Sequence, residues 1–203
     1  MTPIPHSIIS ALETNGYSIY DDFLPNSVIR QLAQEARDMA AAGTLKPARV
    51  GLQAQSQRDI RGDLTHWLED RGDSPAQQHY THVMNELCGA LNRSCFLGLH
   101  TLETHFAVYA PGTAYGRHLD QFRDSQQRII SSILYLNDDW SASDGGQLRL
   151  YLEQPERPHL DVVPHGNRLV LFESARFWHE VLPASRERIS LTGWFRARDT
   201  TLL

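Results

Sequence analysis

Two periods divide this chain. Apolar residues recur every three to four positions in its first half and in short or alternating runs in its second. Ser7 to Glu13 predicts a short helix ended by Asn15-Gly16. Pro25-Asn26-Ser27 opens VIRQLAQEARDMAAA, where Val28, Leu32, Ala36 and Met39 share a face, so an amphipathic helix should pack there against the rest of the fold. From Gly43 to Gly62 the chain is polar and includes QAQSQRDIRGD with no apolar period, which predicts a long loop or irregular hairpin. A further helix is expected from about Pro75 to Leu91, burying Tyr80, Val83, Met84, Leu87 and Leu91.

Beyond Leu97 the runs read as strands. THFAVYA stops at Pro111-Gly112, RIISSILYLN at Asp138-Asp139, Gly145-Gly146 precedes QLRLYL, His165-Gly166-Asn167 precedes RLVLF, and RISLTGWF comes last. Many short strands with helices gathered at one end predict a mainly β, α+β fold: a jelly-roll sandwich or barrel backed by helices.

Composition narrows the function. The length of 203 residues fits one domain with a real core. Nineteen basic against 24 acidic residues, with no long run of either sign, leave no electrostatic footprint for nucleic acid. Cys88 and Cys95 fit neither a CxxC pair nor a four-cysteine zinc site and read as buried free thiols of a reducing cytosol. The first residues, MTPIPHSIISAL, show neither a basic leader nor a long apolar run, so a cytoplasmic protein without a membrane span is expected.

The chemistry starts from the triplet HLD, which occurs at His118-Leu119-Asp120 and again at His159-Leu160-Asp161. Ten histidines and 24 acidic residues make about one such triplet a matter of chance, so the triplet alone chooses nothing. At a strand end, residues i and i+2 aim an imidazole and a carboxylate at one point. A third ligand must come from another strand, and His179 in FWHEVLP is the candidate. It lies 59 residues after Asp120, with several strands between, but only 18 after Asp161, with one. The second HLD is therefore expected at the surface. Two histidines and one carboxylate on one face of a metal leave positions open, the arrangement of non-haem Fe(II) oxygenases. Two open positions suit the keto oxygen and adjacent carboxylate of 2-oxoglutarate and a third suits O2. An arginine fork suits the remote carboxylate, and Arg188 lies nine residues after His179 on the expected last strand.

HxD, H and R in that order, at His118, Asp120, His179 and Arg188, resemble the 2-oxoglutarate and Fe(II)-dependent oxygenases. The segments YAPGTAYGRHLDQF, ILYLNDDW, GGQLRLY, VVPHGNRLVLF, FWHEVLPA and RISLTGWF resemble one branch, the oxygen-sensing (HIF-type) prolyl hydroxylases and their bacterial relatives. DIRGD followed by Trp67 resembles the start of that catalytic domain, so the likeness runs from about Asp59 to Arg196. It implies a double-stranded β-helix (cupin-like) core over about 96–203, with helical support and a mobile loop near 43–62 within 1–95, all one catalytic domain.

The same resemblance implies roles. His118, Asp120 and His179 match the iron ligands, and Arg188 with Tyr135 matches the anchor of 2-oxoglutarate, with Thr192 near that pocket. Tyr109 and Tyr115 match pocket tyrosines near the iron, and Trp194 a tryptophan beside the substrate and cosubstrate. Arg61, Asp63 and Arg128 match charged groups that brace the mobile loop, which would be a flap over a peptide substrate. Taken as residues alone, Tyr109, Tyr135 and Trp194 fit core positions as well, and the charged trio fits a structural ion pair. The implied activity is trans-4-hydroxylation of a prolyl residue in an exposed loop of a protein, using Fe(II), 2-oxoglutarate and O2, supported by ascorbate, and releasing succinate and CO2. Elongation factor Tu is the implied client and a monomer the expected state. Two alternatives stay open: the same iron chemistry on another side chain or a small molecule, and a non-catalytic jelly-roll module that binds or senses a metal.

Overall fold

The computed structural model describes residues 3–48, 61–121, 126–152 and 158–198. In chain order these form α1 (His6–Asn15), β1 (Tyr17–Tyr20), α2 (Asn26–Ala41), β2 (Lys46–Pro47), β3 (Asp63–Trp67), α3 (Pro75–Cys95), β4 (Leu99–Tyr109), β5 (Tyr115–His118) and β6 (Arg128–Tyr135). There follow β7 (Leu148–Tyr151), β8 (His159–Val162), β9 (Leu169–Glu173), β10 (His179–Val181) and β11 (Arg188–Ala197). Local chemistry sets the helix ends. Gly16, at φ 79°, turns the chain out of α1 and bonds back to Leu12. Ser74 caps α3 by accepting the Gln77 N–H, with Pro75 in the first turn.

The strands make two antiparallel sheets. The larger runs β1-β9-β6-β11-β4-β3-β2 and the smaller β5-β10-β7-β8. Because side chains alternate along a strand, the central strands of the larger sheet send one set of residues to each face. Phe106, Val108, Ile130, Leu134, Leu169, Leu171, Ile189, Leu191 and Phe195 meet the helices through Ile8, Leu12, Leu32, Tyr80, Met84, Leu87 and Leu91. Ala107, Tyr109, Ile133, Tyr135, Val170 and Phe172 face Leu148, Leu150, Val162 and Val181 of the smaller sheet. This is the mainly β, helix-backed double-stranded β-helix. The alternation has one telling exception: the inward set on β11 is Arg188, Ser190, Thr192 and Trp194, polar where its helix-facing set is apolar.

Several expectations shift in detail. The buried stripe of α2 is Ile29, Leu32, Ala33 and Ala36, with Val28 and Met39 only half-buried. The face turned to the core is rotated slightly from the one the sequence outlined, and the two residues at its ends become its edges. In α3, Val83 is likewise at the edge, while buried Gln77 donates to Glu35 on α2. Cys88 and Cys95 are free but half-buried rather than buried. Cys88 lies at the edge of the buried stripe of α3 and Cys95 is its last residue, and what burial they have pushes both thiols up. Strands β1, β2, β3 and β10 were not expected, being short and without the clear run of apolar positions that marks β7 and β9. Residues 49–60 of the expected loop lie outside the described residues.

One turn joins the two halves. Asn167 sits at φ 64°, its side chain accepts from the Leu24 N–H at 2.8 Å, and its amide donates to the Leu24 carbonyl at 2.7 Å. This ties the segment leading into α2 to the strand β9. Asn167→Ala is expected to lower stability by about 2–4 kcal/mol, since it strands two buried backbone groups and strains a left-handed position. That corresponds to a fall in Tm of roughly 4–16 °C for a domain of this size. Asn167→Gly should recover only the backbone part, and thermal unfolding of the two variants separates the contributions.

Candidate metal centre

The inward polar residues of β11 open onto a cluster supplied mostly by the smaller sheet. Strands β5 and β10 pair antiparallel with His118 directly opposite His179. Their rings lie 4.2 Å apart between centroids. Strand β5 ends at His118, and the bend that follows brings Asp120 back between the two imidazoles. Asp120 Oδ1 is 3.5 Å from His118 Nε2, and its Oδ2 is 3.5 Å from His179 Nε2. One ligand atom from each residue falls within 4.8 Å of the others, the only such group of three or more among the described residues.

Each histidine is held in one tautomer. His118 Nδ1 lies 2.8 Å from the Gly116 carbonyl and His179 Nδ1 3.0 Å from the Phe177 carbonyl. A carbonyl only accepts, so both Nδ1 atoms carry the proton and both Nε2 lone pairs point at the cluster. Tyr115 stacks on His118 at 3.7 Å, and the edge of Phe172 meets His179. Burial opposes ionisation of Asp120, but His179, His118 and the Ser131 hydroxyl outweigh it and hold the carboxyl well below the usual carboxylate range. Ser131 donates to Asp120 Oδ2 at 2.6 Å. Burial pushes His179 down to about 4 against the pull of Asp120. At neutral pH these two ligands are therefore already in the protonation states a divalent cation requires.

Deeper in the same pocket lies Arg188, 1 % exposed. Its Nε donates to the Gly146 carbonyl at 2.9 Å, and the guanidinium lies over the rings of Tyr109 and Tyr135, with Cζ 5.1 and 4.9 Å from their centroids. Gly146 has φ 70°, and a Cβ there would press on Arg188 and Trp140, which explains a glycine in GGQLRLY. Two polar atoms are left over. Arg188 Nη2 and the Tyr135 hydroxyl are buried without a well-formed hydrogen bond, although the hydroxyl feels the neighbouring charge. Orphaned donors of this kind cost stability unless a ligand meets them. A guanidinium N–H beside a phenol O–H is a donor set for a carboxylate. The residues present therefore fit a divalent iron at His118, Asp120 and His179 and a dicarboxylate reaching from it to Arg188.

Thr192 lines this pocket, with its hydroxyl 3.2 Å from that of Ser190. Tyr109 is fully enclosed, and burial raises its hydroxyl, as it does that of Tyr115. Arg61 and Asp63 form a buried fork at 2.7 and 3.0 Å, and Arg61 lies over the Tyr115 ring. Arg128 pairs with Glu103 and lies 3.5 Å above the Trp194 ring; residues 49–60 of the loop that the three charged residues were expected to brace lie outside the described residues. The second HLD is out of reach. Strand β8 is two strands from β10, about 10 Å away, and its Asp161 is paired with Arg149 at the surface. Sequence reading assigned no site role to Ser131 or His105, and Trp67 served only to mark the start of the resemblance. His105 lies in the pocket lining, and its two-residue spacing from Ala107 and Tyr109 was the signal that it faces inward.

Residues 104–196 match the family model described as the 2OG-Fe(II) oxygenase superfamily. A crystal structure of a Pseudomonas putida prolyl-4-hydroxylase is similar with a TM-score of 0.86 and 44% identity, over 96% of this chain and 99% of that one. A prolyl hydroxylase in complex with a hypoxia-inducible-factor oxygen degradation domain peptide fragment, from Trichoplax adhaerens, is similar with a TM-score of 0.79 and 29% identity, over 94% and 88% of the two chains. Egl nine homolog 1 of Rattus norvegicus is 32% identical over 202 residues, 95% of this chain and 58% of that protein. The chain spans about half the length of the curated relatives it matches first.

Proposed function

The chain belongs to the 2OG-Fe(II) oxygenase superfamily, and on that premise we propose that it hydroxylates a prolyl residue of a protein, with 2-oxoglutarate and O2 as cosubstrates. The observation that carries the catalytic reading is one cavity holding both the His118-Asp120-His179 cluster and the orphaned pair of Arg188 and Tyr135. The prolyl substrate is supported by the 44% identity to the Pseudomonas putida prolyl-4-hydroxylase across nearly the whole of both chains. When bound, iron with 2-oxoglutarate supplies oxidising chemistry that couples loss of CO2 from the cosubstrate to insertion of oxygen into a C–H bond.

The protein's part is geometry and exclusion. Gly116 and Phe177 aim the two imidazoles, Ser131 orients the carboxylate, and Arg188 with Tyr135 fixes the far end of the cosubstrate. Tyr109, Ile133, Leu148 and Val181 wall the cavity with little room for bulk water. His118 is only half-buried, so substrate entry falls on its side of the cavity, next to the Tyr115 ring stacked on it. Arg61 and Asp63 pair side chain to side chain at the start of β3, on the edge of the same cavity.

The client we propose is elongation factor Tu, through a loop with an exposed proline, and the enzyme acts as a cytoplasmic monomer. Among the described residues no helix is long and apolar enough to cross a membrane. The large exposed hydrophobic side chains among them are Leu64, Trp67 and Phe96. Incubation of the protein with bacterial lysate, Fe(II) and 2-oxoglutarate, followed by mass spectrometry of peptides, should show a gain of one oxygen on proline in elongation factor Tu. Oxygen added only to another residue type or to a small molecule would replace the substrate assignment. No succinate release above a metal-free control would replace the enzymatic one.

A further inference from the structure

His105 is a buried histidine that neither the metal cluster nor the Arg188 anchor uses. It sits on the inward face of β4, opposite Trp67 of β3 on one side and Thr192 of β11 on the other. Its ring lies between two indoles, 4.7 Å from Trp67 and 5.6 Å from Trp194 between centroids, and nearly parallel to the latter at 28°. Trp67 is 51% exposed and His105 1%, so the row runs from solvent into the pocket. His105 Nε2 faces the Arg61 guanidinium at 3.5 Å. Arginine only donates, so Nε2 is the acceptor and the proton of the neutral ring is on Nδ1. That Nδ1 is buried without a partner.

An unmet donor in such a place calls for an acceptor from outside. Burial, reinforced by the Arg61 charge, holds the ring's pKa down to about 3, so what it offers is a neutral N–H. Arg61 is itself committed to Asp63, which leaves no net charge to attract a carboxylate. The cosubstrate is also too short to serve. His105 and Arg188 lie opposite Thr192 and Tyr109 in the same ladder, four residues apart along the strands, or about 13 Å. A neutral acceptor between flat apolar walls describes an amide carbonyl. We propose that His105 is a specificity-determining contact of this enzyme, its Nδ1–H donating to a backbone carbonyl of the polypeptide that carries the reacting residue, with Trp67 and Trp194 flanking that segment.

This rests on the reading of the protein as a polypeptide hydroxylase, and the test keeps the two apart. The probe is a pool of proteolytic peptides from a bacterial lysate, with hydroxylated proline scored by mass spectrometry. Wild type is compared with His105→Asn, which keeps an N–H at the δ position, and with His105→Phe and His105→Leu, which remove it. The Phe and Leu variants should hydroxylate the wild-type peptides about tenfold less efficiently, as expected for one buried hydrogen bond. The KM for 2-oxoglutarate and peptide-free succinate release should stay unchanged. His105→Asn should retain most peptide turnover. Direct affinity for the peptide that wild type modifies most, read by tryptophan fluorescence with inert Mn(II) in place of iron, should fall in parallel. Equal peptide turnover by wild type and whichever of the Phe and Leu variants binds 2-oxoglutarate normally overturns the inference, as does loss of 2-oxoglutarate binding in both, which marks His105 as structural. Failure of wild type to modify any peptide removes the parent reading instead.

Discussion

Asp120→Ala is expected to lose succinate release by more than about 100-fold, a range already reached when groups that merely support metal ligands are disturbed. The carboxylate is the one anionic ligand of the cluster and spans both histidines, at 3.5 Å from each Nε2. Without it two neutral imidazoles remain, which hold ferrous iron weakly. A second readout makes this a claim about metal rather than about folding. Saturating Mn(II) should raise the Tm of wild type by about 5–10 °C, from a binding contribution near 2.7 kcal/mol at a hundredfold excess over Kd. The same addition should leave Asp120→Ala unmoved. Asp161→Ala supplies the control, since it alters the other HLD triplet. Its carboxylate is partly exposed and paired with Arg149, so its loss should cost under about 1 kcal/mol and change neither activity nor the Mn(II) response. Equal Mn(II) stabilisation of wild type and Asp120→Ala would contradict the metal site outright.

That contrast also marks what the chain reveals before it folds. The choice between two identical triplets followed from spacing, since 18 residues with one clear strand leave little chain to bring Asp161 against His179; in the fold it is the strand β7 between β8 and β10 that keeps them apart. The partition into helices and strands was legible because the strands are long and apolar. Where a strand is short and its apolar residues do not clearly alternate, as in β1 and β10, the period is lost, although β10 carries His179 of the cluster; β7 is as short as β1 but shows it through alternating leucines. The site residues that escaped notice are of another kind. Ser131 and His105 are ordinary residues inside runs that read as strands, and their roles depend on which face of the sheet they occupy. Anchoring the two-residue period on Tyr109 and Arg188 would have turned both inward. Arg128 is a case of the same kind: the chain shows its charge, but only strand order shows that it meets Glu103 and Trp194. Spacing along a sequence does not report which strands become neighbours across a barrel.

Arg188→Met should behave oppositely to Asp120→Ala, and for a reason rooted in burial. Among the described residues the guanidinium has no carboxylate within ion-pair distance, only the Gly146 carbonyl and the faces of two tyrosines. A buried cation without a counter-ion is costly, and replacing it by an apolar side chain of similar length is often neutral or stabilising. The ligand-free variant should therefore melt at or above the wild-type temperature, and its Mn(II) shift should survive because the cluster is untouched. Only the response to 2-oxoglutarate should collapse. Removing one member of a buried, hydrogen-bonded charge pair costs about 2–5 kcal/mol, which places the rise in the KM for 2-oxoglutarate on the order of 100-fold. Arg188→Lys should not restore it, because an ammonium lacks both the fork and the flat face that fits between Tyr109 and Tyr135. Titration of 2-oxoglutarate against succinate release, beside melting curves with and without each ligand, checks all of these signs. An Arg188→Met protein with wild-type KM would mean that the far carboxylate is anchored elsewhere, and that the orphaned Nη2 and the Tyr135 hydroxyl answer to some other partner.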